Sequence, residues 1–216
     1  MGRQAGTLEL DHVLIAVPDL DDAAGLMHER FGLASVEGGR HHEWGTANRI
    51  VPVRDAYLEL IAVVDRERAL ANPFGRWVAT APGGSLQPLG WAVRTASIDE
   101  VAERLGLTVR SGSRTRADGR ILEWRTAGVE RAASEPALPF FIEWAPGTPH
   151  PSEVMATHSS VVAVLALELG GDEARLSTWL GDHNLPVVVR PGPSALTGVV
   201  LREPSGREMR IERASP

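Results

Sequence analysis

The chain repeats one pattern of secondary structure three times along its length. In each copy, the pattern of apolar residues predicts a strand, then a helix, then three short strands. The first copy opens with "TLELDHVLIAV", whose two faces are both largely apolar, and continues into the helix "PDLDDAAGLMHERFG". The strands "LQPLGWAVRTA" and "SSVVAVLALELG" open the second and third copies. Repetition constrains the fold strongly, because every unit must bury an otherwise open sheet face.

We predict an α+β fold in which the repeated β-α-β-β-β units form a curved mixed sheet around a cleft. The predicted boundaries are 7–65 for the first unit, 66–85 for a helical linker, 86–146 for the second unit, 147–157 for a Pro-rich linker and 158–214 for the third unit. The first two units pair side by side. The third unit then lacks a partner, so we expect a homodimer.

Composition excludes several classes of chemistry. The chain has no cysteine, and all 22 of its basic residues are arginine. Thiolate chemistry, Schiff-base catalysis and a P-loop are therefore ruled out. The net charge is −6 and the one arginine-rich stretch, 110–120, is typical of a charged hairpin, so nucleic-acid binding is not expected. No apolar run is long enough to span a membrane and no signal peptide precedes the first strand, so we expect a cytoplasmic protein.

Three motifs of the first unit, "LDHVLIAVPDL", "GGRHHEWGTANRIV" and "YLELIAV", together resemble the glyoxalase-like domain family of the vicinal oxygen chelate superfamily. The motifs cover residues 8–63, and only the order of elements extends the resemblance further. The resemblance implies a divalent-metal-dependent enzyme that acts on a small carbonyl or vicinal-oxygen compound, with isomerase or lyase chemistry through a metal-stabilised enolate. The alternative within the same superfamily is a metal-free protein that binds small molecules, of the bleomycin-resistance kind.

The resemblance also implies metal ligands on the first and last strands of paired units. His12 and Glu59 match these positions in the first unit. Alignment of the last strands sets Glu143 of the second unit opposite Glu59, whereas Gly90 falls opposite His12 and cannot bind a metal. The expected ligands of an ion such as Mn, Fe, Ni, Co or Zn are therefore His12, Glu59 and Glu143.

Each expected ligand has a plainer alternative. A carboxylate inside an apolar strand is costly unless it is paired, and Arg49 on the neighbouring strand is a candidate partner for Glu59. His12 could be a hydrogen-bonded core histidine, and Glu143 could face solvent at the end of its strand. If only the first two residues converge, the ion is weakly held or absent.

The two adjacent histidines in the second motif are expected to play different parts. His41 holds the family's position, four residues before the Gly-Thr pair, and His42 is the extra one. We expect His41 and Glu143 as catalytic groups, with a surface turn as the alternative for His41. The candidates for substrate binding are Trp44, Asn48, Arg49 and Trp91, of which the tryptophans could equally serve packing. Four histidines of a helix surface, linkers or loops are set aside: His28, His150, His158 and His183.

Overall fold

The computed structural model describes residues 8–115, 119–153 and 162–214. The start of the third unit as predicted, including His158, lies outside these ranges. Twelve strands are present in the described residues: β1 Glu9–Ala16, β2 Val36–His41, β3 Thr46–Val53, β4 Ala56–Val63, β5 Gln87–Arg94, β6 Val109–Thr115, β7 Ile121–Ala127, β8 Phe140–Trp144, β9 Ala163–Gly170, β10 Val187–Arg190, β11 Ala195–Arg202 and β12 Glu208–Glu212. The helices of the same ranges are α1 Leu20–Phe31, α2 Arg66–Leu70, α3 Pro73–Ala79, α4 Ile98–Leu105, α5 Val129–Ser134 and α6 Glu173–Leu180.

The first eight strands close into a barrel in the order β1-β4-β3-β2-β6-β7-β8-β5. Two β-α-β-β-β sets form it, and they meet twice, where β1 pairs antiparallel with β5 and β2 with β6. The predicted α+β fold with a curved mixed sheet is confirmed. The curvature goes further than expected, since both outer strands of each set find a partner and no sheet edge remains in the barrel.

A separate sheet with the order β10-β9-β11-β12 follows the barrel. It packs against the outer face of the barrel and shares one apolar core with it. Val13 and Trp91 of the barrel belong to this core, together with Leu167 and Leu201 of the second sheet. The barrel thus covers the third set of elements within one chain. The reason given for a homodimer is thereby removed, and the dimer stays a prediction.

Alternation along β1 decides what faces the barrel interior. Val13 and Ile15 point outward into the shared core, whereas Leu14 and Ala16 belong to the cluster inside the barrel. His12 shares the inward face with them because strand side chains alternate with a period of two. Of the helices in the described ranges, none combines the length and apolarity needed to cross a membrane.

Gly45 closes the turn between β2 and β3 with a φ of 68°. A Cβ at this position would lie 2.4 Å from the carbonyl oxygen of Asp65 and 2.6 Å from the backbone nitrogen of Ala69. We predict that Gly45→Ala lowers the free energy of unfolding by about 3 kcal/mol or more, from backbone strain and overlap together. Urea denaturation followed by circular dichroism measures the change.

The matched control is Gly25→Ala, in the exposed middle of α1, where a Cβ would meet open space. This change should stabilise the protein by roughly 0.5–1 kcal/mol, because alanine favours the helix. Equal effects of the two substitutions would contradict the role assigned to Gly45.

Candidate active site

A cavity of about 40 Å³ lies inside the barrel. Its volume suits roughly three water molecules or a small ligand. Aromatic side chains cover much of its wall, and one group of polar residues faces them: His12, His41, Asn48, Tyr57, Glu59 and Arg114. Five of these polar residues come from the first β-α-β-β-β set, whereas the second set supplies Arg114 and Thr126, so the two halves of the barrel contribute unequally.

A buried carboxylate holds His12 in place. Nδ1 of His12 lies 2.6 Å from Oδ1 of Asp11, while Oδ2 of Asp11 accepts hydrogen bonds from Trp144 Nε1 at 2.9 Å and His150 Nε2 at 3.0 Å. Burial alone would raise the pKa of Asp11, but the hydrogen bonds from His12 and His150 hold that pKa well below its usual range. Asp11 is therefore ionised at neutral pH. It accepts the Nδ1 proton of His12 and leaves Nε2 of the imidazole for other partners.

Glu59 on β4 faces that free nitrogen. Its Oε2 lies 3.4 Å from Nε2 of His12, and its Oε1 accepts a hydrogen bond of 2.5 Å from Nδ2 of Asn48. Both members of the pair are buried. Two acceptors at this distance repel each other, so a proton or the polar hydrogen of a ligand stabilises the pair. The arrangement is suited to proton transfer.

His41 lies at the end of β2, where its Nδ1 is 3.0 Å from Oγ1 of Thr46. Burial lowers the pKa of His41 to about 4. The negative charge of Glu59 raises this pKa in part, and the positive charge of Arg114 lowers it further. His41 is therefore an uncharged imidazole at neutral pH. Its neighbour His42 is exposed and does not line the cavity.

Tyr57 stacks on His12, with ring centroids 4.8 Å apart and an angle of 18° between the planes. Burial, together with the charges of Asp11 and Glu59, raises the pKa of Tyr57 well above its usual value. The phenol therefore stays protonated and acts as a hydrogen-bond donor beside the His12 ring.

Glu143 does not lie in the cavity, which corrects its assignment as ligand and catalytic group. Its neighbours Ile142 and Trp144 line the cavity, so strand alternation turns Glu143 to the outer face of the barrel. There it forms an ion pair with Arg125, which also binds Asp99 of α4.

The strand registers explain the misalignment. Leu14 of β1 pairs with Glu59 of β4, and the equivalent pair in the second set joins Ala92 of β5 to Phe140 of β8. Phe140, rather than Glu143, therefore occupies the place of Glu59 in the second half of the barrel. The sequence alignment was displaced by three residues.

The counterpart of His12 in the second half is a glycine, and a neighbouring side chain fills the space beside it. The pairs His12–Ala92 and Leu14–Gly90 are related by the pseudo-twofold axis, so Gly90 holds on β5 the place of His12 on β1. A Cβ at Gly90 would lie 2.3 Å from the indole of Trp77, which α3 inserts there. The second half thus supplies an aromatic wall where the first half supplies polar groups.

The donor set does not fit the predicted metal site. Within the part of the chain that the structure describes, no three His, Asp or Glu side chains are arranged to hold an ion. Two donors meet, His12 Nε2 and Glu59 Oε2, whereas protein metal sites generally use three or more. The expected third donor, Glu143, points away.

Two of the expected substrate-binding residues also face away from the cavity. Arg49 lies on the outer face of β3, where Nε donates to Ser35 Oγ at 3.0 Å and Nη1 to Asp21 Oδ1 at 3.1 Å, so it does not pair with Glu59. Trp91 is buried in the core outside the barrel, where its Nε1 donates to the Ala137 carbonyl at 3.1 Å. Trp44 and Asn48, by contrast, line the cavity as expected.

Several residues at or beside the cavity were not anticipated, among them Asp11, Tyr57, Arg114, Trp124, Trp144 and His150. Asp11 carried a signal, since an acid within an apolar strand needs a partner. His150 was set aside as a linker residue. Arg114 stands among several other arginines, and nothing in its local sequence distinguishes it.

The barrel is closed and consists of two β-α-β-β-β sets. It surrounds a cavity into which polar residues of the first and last strands point. This arrangement is the vicinal oxygen chelate fold. The chain belongs to the glyoxalase-like domain family, whose model matches residues 10–183.

Several solved structures are similar to this chain. A hypothetical protein from Staphylococcus aureus has a TM-score of 0.71 at 14% identity, covering 96% of this chain and 100% of its own. A methylmalonyl-CoA epimerase from Mycobacterium tuberculosis has a TM-score of 0.45 at 20% identity, and the match covers 72% of this chain and 97% of the epimerase chain. A variant of the Streptomyces coelicolor methylmalonyl-CoA epimerase in complex with 2-nitronate-propionyl-CoA has a TM-score of 0.46 at 17% identity. The match covers 68% of this chain and 100% of the epimerase chain. At 14% identity, the similarity to the Staphylococcus aureus protein concerns the fold alone. No curated protein matches the chain significantly.

His41 makes the stability of the protein depend on pH. Its folded pKa of about 4 lies below the ordinary histidine pKa of 6.5, so the unfolded chain binds more protons between these values. We predict that the free energy of unfolding falls as the pH drops from 6.5 towards 4, by up to about 1.4 kcal/mol per pH unit from this residue. Denaturation of wild type and His41→Asn across this range isolates the effect. The variant should show the flatter profile, and two parallel profiles would contradict the assignment.

Proposed function

We propose that the protein is an enzyme that transfers a proton at a carbon atom beside a carbonyl group, as isomerases and lyases do. The supporting observation is the buried His12–Glu59 pair at the cavity, with Asp11 bonded to the second nitrogen of His12. A carboxylate next to an imidazole that another carboxylate orients is a general acid–base arrangement. A protein that only sequestered an apolar ligand would gain nothing from burying these ionisable groups, because their desolvation destabilises the fold.

In the proposed reaction, Glu59 takes the proton from the carbon atom. The electron pair of the C–H bond forms a C=C bond, and the carbonyl π electrons move to oxygen to give an enolate. Glu59 or His12 then returns a proton to the neighbouring carbon or oxygen, so no oxidant or reductant is needed. In the tautomer whose Nδ1 accepts from Thr46, His41 donates its Nε2–H to the enolate oxygen without adding a charge.

No step of this proposal passes through a metal ion, because only two of the three expected donors meet. Metal dependence is nevertheless open to direct test. Activity that is lost on chelation and restored by Mn, Fe, Ni, Co or Zn would contradict the metal-independent reaction and favour an ion held by His12 and Glu59.

Hydrogen exchange tests the proton transfer without knowledge of the natural substrate. We predict that the protein catalyses exchange of the C–H hydrogens of hydroxyacetone or pyruvate in D₂O, measured by proton NMR. Glu59→Gln should reduce the rate by about 100-fold or more, since general acid–base groups typically contribute that much.

The control is Glu123→Gln, which changes an exposed carboxylate on β7 and should leave the rate unchanged. Equal losses in both variants would contradict the role of Glu59. Binding of either compound without exchange would favour the alternative, a metal-free small-molecule-binding protein, for which the aromatic wall of Trp44, Trp124 and Trp144 is suited.

A further inference from the structure

Arg114 is a buried cation with an unused donor. Its side chain lines the cavity and is only 7% exposed. Nη1 donates to Oδ1 of Asn48 at 3.2 Å, but Nε has no hydrogen-bond partner and, among the described residues, no carboxylate forms an ion pair with the guanidinium. Burying a charge without a counter-charge destabilises a protein. Such an arrangement is therefore expected where a ligand completes the pair.

The backbone is shaped to admit this guanidinium. β2 has an irregular register between Glu37 and Gly39, next to the point where Arg40 pairs with Thr115 of β6. A Cβ on Gly38 would lie 2.0 Å from Oδ1 of Asn48 and 2.8 Å from Nη1 of Arg114. The glycine pair of β2 thus provides the space in which the arginine reaches the cavity.

Asn48 links the cation to the proton-transfer pair. Its Oδ1 accepts from Arg114, while its Nδ2 donates to Glu59. The amide lies between the two charges and satisfies part of each. Glu59 and Arg114 do not form an ion pair with each other, so both remain available to a ligand.

We propose that Arg114 binds a carboxylate of the substrate, which makes the substrate class small carboxylates with a carbonyl group on the adjacent carbon. The inference rests on the proposed function for the carbonyl chemistry and on Arg114 for the anion. A guanidinium forms paired hydrogen bonds with the two oxygens of a planar carboxylate. A carboxylate bound to this guanidinium shares one cavity with Asn48 and the His12–Glu59 pair. The cavity holds the equivalent of about three waters, or ~90 Å³ of liquid, which suits a compound as small as pyruvate.

Oxamate and oxamide provide a matched pair of unreactive probes. They have nearly the same shape, but only oxamate carries a carboxylate. Isothermal titration calorimetry of the wild-type protein should show oxamate binding at least about 30-fold more tightly than oxamide, as expected for a charge-assisted bidentate contact. This comparison needs no variant, so it does not depend on how a substitution affects folding.

Arg114→Gln keeps a polar side chain and removes the charge. It should abolish the preference for oxamate and melt at or above the wild-type temperature in the absence of ligand, since an unpaired buried charge is lost. Arg110→Gln, an exposed position on the same strand that pairs with Glu130, is the control and should keep the preference. A purely structural Arg114 would instead leave the two probes equal in wild type and lower the melting temperature of the variant.

The outcomes separate this inference from the proposed function. Arg114-dependent oxamate binding without C–H exchange of pyruvate would support the carboxylate site and overturn the proton-transfer function. C–H exchange of hydroxyacetone together with equal binding of oxamate and oxamide would support the proton-transfer function and overturn the carboxylate site. Tighter binding of inorganic phosphate than of oxamate would overturn the choice of carboxylate as the recognised group.

Discussion

The antiparallel pairing of β1 with β5 is the constraint on which both the core and the cavity depend. It is centred on the pair Val13–Trp91, whose side chains point outward into the core shared with the third set of strands. The adjacent positions, His12 on one strand and Gly90 on the other, face inward. A slip of one residue would exchange the two faces, exposing apolar residues to the cavity and moving His12 into the core. The same register therefore fixes packing and chemistry together.

The barrel is symmetric in its backbone and asymmetric in its side chains. At equivalent places, the first half has His12 and Glu59, and the second half has Gly90 and Phe140. Each buried ionisable group needs hydrogen bonds, and the few water molecules that fit in a cavity of about 40 Å³ can supply only a small number of them. Concentrating the polar groups on one wall lets them satisfy one another, while Trp77 and its aromatic neighbours exclude water from the other wall.

Those parts of the site that depend on local strand patterns were predictable from the sequence. His12, His41, Asn48 and Glu59 lie on strands whose alternation can be read directly, and all four line the cavity. Glu143 was misassigned because β8 has five residues where β4 has eight, and α5 precedes it, so motif alignment missed the register.

Arg114 could not be found in this way, because its position depends on closure of the barrel. Its contact with Asn48 joins residues 66 positions apart, through the pairing of β2 with β6 and the space left by Gly38. No local pattern reports such a contact. The same limit applies to His150, which reaches Asp11 from 139 positions away.

The bond between His150 and Asp11 gives the linker after β8 a part in the site. Asp11 has no exposed surface, and its charge is stabilised by His12, His150 and Trp144. Of these donors, His150 lies in the segment that leads from β8 to the third set of strands, whereas Trp144 is the last residue of β8 itself. If that segment moved away, Asp11 would lose the hydrogen bond from His150, and His12 and Trp144 would carry more of the compensation for a fully buried anion. The orientation of His12 in the first half of the barrel therefore depends on how the chain leaves the second.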